Sequence, residues 1–239
     1  MTAALAIARR EFAAYFRTPL GWVVIALYLA LSGVVFALAV LAPAAPASMR
    51  PFFGLSGWVL LFVAPAVSMR LISDEIRSGT IEPLMTAPVS DWAVMAGKLA
   101  AALAFLVALL APTGVYVAVL ERVSDPDLGP VLAGYLGLAL AGALYLSVGA
   151  FFSTLTGSQT LAYLGALFTL LLVRLATGEG VAGRAPDAVA DALYAVSLDR
   201  RLGAFAAGVV DTADASFFVV ASAWLYVLSV IALQSRRWR

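Results

Sequence analysis

The sequence predicts an all-α polytopic protein that crosses a membrane six times. Hydrophobic residues make up 63% of its 239 residues, against ~45–50% in soluble domains. Charged residues make up 12%, about half the usual share, and mean hydropathy is +0.99. The apolar residues also run in long unbroken blocks rather than alternating, which favours helices over a β-barrel, because lipid offers no partner to an open backbone.

The same composition excludes several classes of function. Net charge is +1 and no basic tract exists, which argues against a nucleic-acid binder. With no Cys there is no disulfide framework or thiolate metal site. With no His, the commonest general base and metal ligand is absent too.

Residues 1–20 precede the first apolar block. Leu5, Ala8, Phe12 and Tyr15–Phe16 recur at helical spacing, with Arg9, Arg10 and Arg17 mostly off that stripe. This pattern predicts an amphipathic helix in the membrane interface, stopped by Pro19, or equally a basic flank that only sets topology. Six blocks of the ~20 residues that a span requires follow, at 21–42, 52–69, 99–120, 130–152, 158–176 and 216–233. The first is too long for a signal-peptide core of ~7–15 residues, and Leu41-Ala42-Pro43 is a poor cleavage site, so it is expected to be retained. Arg174, the one charge within these blocks, lies near the end of the fifth, close enough to snorkel.

An even number of spans puts both termini on one side. That side carries nine of the 15 Lys and Arg residues. With the acidic residues included, its net charge is +4 and that of the other side −3. Basic residues favour the cytosol, so both termini are expected there.

The segment 70–98 (RLISDEIRSGTIEPLMTAPVSDWAVMAGK) lies on the same side, with seven charges between two uncharged spans. The second span is expected to continue as a helix to about Ser78, ended by Gly79 in the left-handed conformation. Thr80 can cap a second short helix with Glu82 in its first turn and Pro83 where a missing N–H costs little. Pro88 breaks it, and Ser90 or Asp91 caps the third span. The result is either a handle for another protein or a solvated hairpin in which Asp74 and Arg77 pair at i,i+3. On spacing alone the hairpin is favoured.

On the opposite side, residues 121–129 form a short acidic turn whose Asp125-Pro126-Asp127 is ordinary turn chemistry. Residues 177–215 form a 39-residue loop, unusually long to lack structure. Val189, Leu193, Val196, Leu202, Phe205 and Val209 keep an approximate helical register there, which predicts one or two helices dipping into the outer leaflet. Ala139, Ala143 and Ser147 form a small-residue row suited to close helix approach. The whole chain, 1–239, is expected to form a single transmembrane domain.

No motor is visible. The only Gly-Lys pair, Gly97-Lys98, lacks the other residues of a phosphate-binding loop. No carboxylate or Lys lies inside a span to relay protons or bind sodium, and no base is available there to activate a nucleophile.

Several short motifs occur in order along the chain. Arg10-Glu11 and Tyr15-Phe16-Arg17-Thr18-Pro19 precede the first span. Pro65, Met69-Arg70, Glu75, Arg77, Gly79-Thr80 and Glu82 follow the pattern P-x-x-x-M-R-x-x-x-x-E-x-R-x-G-T-x-E. Leu84, Thr86, Pro88-Val89-Ser90 and Gly97-Lys98 continue it, and Tyr135-Leu136-Gly137, Phe152 to Thr156 and Gly208 to Asp211 fit farther on. In these the chain resembles ABC-2 type transporter permeases, closest to their gliding-motility-associated branch. It departs from them at Pro83, where Leu is usual, and at Ala96.

The resemblance implies a transmembrane permease subunit of an exporter in the bacterial inner membrane, not itself an enzyme. It also implies a cytoplasmic ABC ATPase subunit as partner, which would hold the ATP and Mg, with no cofactor on this chain. A second permease subunit, identical or paralogous, is implied as well, with room for an extracytoplasmic auxiliary protein beside the membrane lipid. The coupling segment that docks on the ATPase would include Arg70, Asp74, Glu75, Arg77, Gly79, Thr80, Glu82, Pro83 and Leu84. The interface helix would use Arg9, Arg10, Phe12, Tyr15 and Phe16. The alternatives are a motor-free channel or secondary transporter, or a membrane anchor for an envelope or motility assembly.

Overall fold

A backbone in lipid must satisfy its own hydrogen bonds, and apolar blocks of this length do so as helices. In the computed structural model, residues 3–42, 46–81, 89–184 and 186–235 are described, and every regular element among them is helical. Helix α1 (Ala3–Arg17) ends where Thr18 turns extended and Pro19 opens α2 (Pro19–Val35). A missing N–H costs little at a first helical position. A π-helical turn at Phe36–Val40 completes this first span.

Helices α3 (Arg50–Ser68) and α4 (Arg70–Ser78) run almost as one rod, broken at Met69. Pro65, inside α3, removes one backbone donor just before that break. The third span is α5 (Asp91–Leu110), a 3₁₀ turn at Ala111–Thr113, and α6 (Gly114–Val123), with the bend at Pro112. Then come α7 (Leu128–Leu155) and α8 (Gln159–Ala176), the short helices α9 (Glu179–Ala182), α10 (Asp187–Val196) and α11 (Leu198–Ala206), and α12 (Thr212–Ser235).

Among the described residues, six helical stretches are long and apolar enough to cross a membrane: Gly21–Val40, Arg50–Ser78, Asp91–Val123, Leu128–Leu155, Gln159–Ala176 and Thr212–Ser235. The second and third exceed the expected blocks. The third has 33 residues, about 50 Å of helix against a hydrocarbon core of ~30 Å. Hydropathy finds the part of a helix that sits in lipid, not the turns that project from it.

Helix α7 is the central post, packed on α3, α12, α8, α11 and α5. In lipid, apolar side chains gain little by leaving the solvent, so association depends on close packing. Glycines of α7 provide it. A Cβ on Gly134 would lie 2.2 Å from the Phe53 ring, and one on Gly142 would lie 2.6 Å from Leu106. These notches replace the expected row of Ala139, Ala143 and Ser147, of which the two alanines are only half-buried.

The long loop is also more ordered than its register suggested. Val189 and Val196 of α10 are exposed, whereas Leu202 and Phe205 of α11 are buried in the bundle. Phe205 fills the notch at Gly137, and Leu202 lies over Gly57 of α3. Helix α11 is therefore part of the core. The elements sort to two ends: α1, α4, the start of α5 and the α7–α8 turn gather at a basic end. The α2–α3 and α6–α7 connections and α11 lie at an acidic end.

Candidate functional site: a charged elbow at the basic end

Helix α4 carries Leu71, Ile72 and Ser73 buried against the bundle, with its later residues partly or fully exposed. Gly79 ends it at φ 71°, the left-handed region where an L side chain is strained. Nothing lies within 4 Å of where its Cβ would stand, so glycine is needed for conformation, not for space. Across the turn, the Ser90 hydroxyl accepts the Ala93 N–H at 3.2 Å and starts α5, with Asp91 in its first turn.

Two turns into α5 stands Lys98, 2% exposed. Its Nζ lies 2.9 Å from Glu75 Oε1 on α4 and 3.4 Å from Glu11 Oε1 on α1. A buried ammonium is tolerable only when paired, and here one cation joins three helices. Arg10 Nη2 adds a 2.7 Å contact to Glu11, while Glu75 Oε2 is buried without a hydrogen-bond partner among the described residues. A cavity of about 140 Å³ opens beside these groups, between α1, α4 and α5, lined also by Tyr15, Arg70 and Asp74.

Asp74 does not pair with Arg77. It accepts from Arg70 Nε at 3.2 Å and from the Gln159 side-chain amide at the start of α8. Arg77 is exposed, with Ser78, Gly79 and Thr80. Of the residues expected to face an ATPase, then, Arg77, Gly79 and Thr80 point outward, while Asp74 and Glu75 bind α4 to α8 and α5, and Arg70 pairs with Asp74 within α4. Glu82, Pro83 and Leu84 lie outside the described residues.

Helix α1 packs along α5. Tyr15 and Phe16 pack on Phe105 with ring centroids 4.8 and 5.8 Å apart, and Phe12 packs edge-on to Phe16. Arg9 and Arg10 face out. Burial pushes the Glu11 carboxyl up, but Lys98 and Arg10 outweigh it and hold the group below its ordinary 4.5. A lowered carboxylate stabilises the fold above its unfolded value and stops doing so as pH falls through the folded one. Protection factors for backbone hydrogen exchange in α1, corrected for the intrinsic rate at each pH, are therefore expected to fall below about pH 4.5 in native protein. A Glu11→Gln variant should lack that acid-dependent step.

The acidic end has a second buried charge. Arg174 does not snorkel; it is 2% exposed. Its guanidinium pairs doubly with Asp199 of α11, donates to the Gly57 carbonyl at 2.9 Å and lies 3.9 Å over the Trp58 ring. It thereby fastens α11 to α3 and α8. Neither Lys98 nor Arg174 stood out as a hub in the sequence. The signal for Lys98 is its phase, since it shares the buried face of α5 with Met95, Ala102 and Phe105. Among the described residues no three Asp, Glu, His or Cys side chains gather as a metal site would require, so both charge clusters are ion pairs between helices.

Residues 49–193 match the family described as ABC-2 family transporter protein. The chain belongs to the ABC-2 transporter family. The matched region of this ABC-2 protein runs from the start of α3 into α10, taking in the elbow, Lys98 and Arg174. Members of the family are transmembrane subunits that normally work with a cytoplasmic ATPase. A search of curated proteins finds no match to the chain.

Proposed function

We propose that this ABC-2 permease is the membrane subunit of an ATP-driven exporter in a bacterial cytoplasmic membrane. Its basic end, with both termini, faces the cytosol. A separate ABC ATPase holds ATP and Mg and grips the segment 70–98. Two permease subunits, identical or paralogous, flank the substrate path, and the motifs around Pro65 to Lys98 favour the gliding-motility-associated branch.

One observation carries this reading: the elbow has a free tip and a fixed root. The tip offers Arg77, Gly79 and Thr80 to solvent. The root is tied to α1, α5 and α8 through Glu75, Lys98, Asp74 and Gln159. A push on the tip therefore reaches several spans at once, as a lever requires. The excess of basic residues at this end supports the cytosolic assignment.

Co-purification tests the reading. The chain co-expressed with a cognate ABC ATPase subunit is expected to form a stable complex. Arg77→Glu should weaken that complex about tenfold while leaving insertion unchanged, as reversal of one exposed interface charge commonly does. Conduction by the permease alone, without ATPase or nucleotide, would instead favour a motor-free channel. A nucleotide-insensitive assembly would favour an anchor.

A further inference from the structure

The break at Met69 frees the first amides of α4, and Met69 offers them no side-chain cap. Buried amides without a partner are costly. Here two of them are satisfied from another span. Ser153, fully buried near the end of α7, accepts the N–H groups of Ile72 and Ser73, each at 2.9 Å. Its own hydroxyl donates to the Met69 carbonyl at 2.9 Å. A serine hydroxyl has one donor and two acceptor sites, and all three are used on the break.

One turn earlier, Gly149 makes room for this contact. A Cβ there would lie 1.9 Å from Ser68 Oγ and 3.3 Å from the backbone at Pro65. Four residues after Ser153, Gly157 lies beneath Ile76 of α4, with its Cβ position 3.0 Å from the Ile76 side chain. The end of α7 is thus shaped along the elbow from Pro65 to Ile76.

We infer that Ser153 is a positioning residue that caps the elbow helix from the fourth span and ties the two together, so that elbow motion is delivered to α7 as well as to α3 and α5. The coupling role rests on the proposed function; the cap itself does not. Span 4 contacts most of the bundle, so this tie carries displacement of one short helix into the centre of the protein.

The chain has no cysteine, so Ser78→Cys and Leu155→Cys, both exposed positions, take a spin-label pair before the ATPase is added, and only labelled chain that still co-purifies with the ATPase is measured. In the permease–ATPase complex in nanodiscs, the inter-label distance is expected to stay single and narrow, with and without a trapped ATP analogue. With Ser153→Ala added it should broaden and shift on nucleotide binding, and Ser153→Thr should restore it. A purely stabilising role would lower the unfolding temperature without making the distance depend on nucleotide. The permease alone gives the second arm: Ser153→Ala should speed amide exchange at Ile72 and Ser73 about tenfold or more. Unchanged exchange overturns the cap. Accelerated exchange with an unchanged, nucleotide-insensitive distance overturns the tie. If no ATPase associates, the proposed function falls, and the exchange arm still decides whether Ser153 caps the elbow.

Discussion

Replacing Lys98 with methionine is expected to destabilise the protein by about 3–5 kcal/mol, the range for removing one partner of a buried ion pair. Methionine keeps most of the stem and removes only the charge. Glu75, whose side chain is 15% exposed, would be left with neither carboxylate oxygen paired to a described protein group. Glu11 is more exposed and keeps Arg10, so its share of the loss is smaller. The cost should therefore fall mainly on Glu75, and adding Glu75→Gln to Lys98→Met should recover much of it. A double-mutant cycle on unfolding in detergent isolates this coupling. A loss under about 1 kcal/mol, typical of an exposed pair, would mean that the ammonium is hydrated rather than buried. In the assembled transporter, Lys98→Met should also slow nucleotide-driven transport, because α4 would lose its ion pair to α5.

The second large effect concerns the opposite end and is asymmetric. Asp199→Ala strands the Arg174 guanidinium, 2% exposed, with the Gly57 carbonyl, the Tyr145 hydroxyl and the Trp58 ring but no carboxylate, and is expected to cost about 3 kcal/mol. Arg174→Met strands Asp199 instead. That side chain is 43% exposed and can turn to water, so the expected cost is about 1 kcal/mol. Arg174→Met with Asp199→Leu should lie closer to native than Asp199→Ala alone. In each weakened variant, protease cleavage within α10 and α11 should quicken before the rest of the protein opens. Equal costs for the two single variants would mean that Arg174 is as accessible to water as its partner.

The spans were legible because lipid imposes one rule on every long apolar block. Helix ends that depend on a residue's own chemistry were also legible: Gly79 takes the left-handed position, Ser90 caps α5, and the second span continues to Ser78. Contacts between residues far apart in the chain were not. The Lys98–Glu11 pair spans 87 residues, and the Gly57 carbonyl lies 117 residues from Arg174. Hydropathy scores a charge by its distance from a helix end. It therefore cannot separate an Arg that reaches water from one, like Arg174, whose partner is brought in by a re-entering helix. Asp74 could pair with Arg70 or with Arg77 on the same helix, and Gln159, 85 residues away, stands on the Arg70 side. The notches of α7 were obscured because an alanine row and a glycine row have similar sequence signals, and only the facing rings at Phe53 and Phe205 distinguish them.

In the proposed transporter the elbow tip faces the cytosol and is covered there by an ATPase. Thiol labelling of Ser78→Cys tests it most directly, since the native chain carries no other thiol. A membrane-impermeant maleimide should leave this position unlabelled in intact spheroplasts and label it in inverted vesicles stripped of the ATPase, and restoring the ATPase should block the reaction. Labelling from outside intact spheroplasts, or labelling in inverted vesicles that the bound ATPase leaves unchanged, would contradict the account.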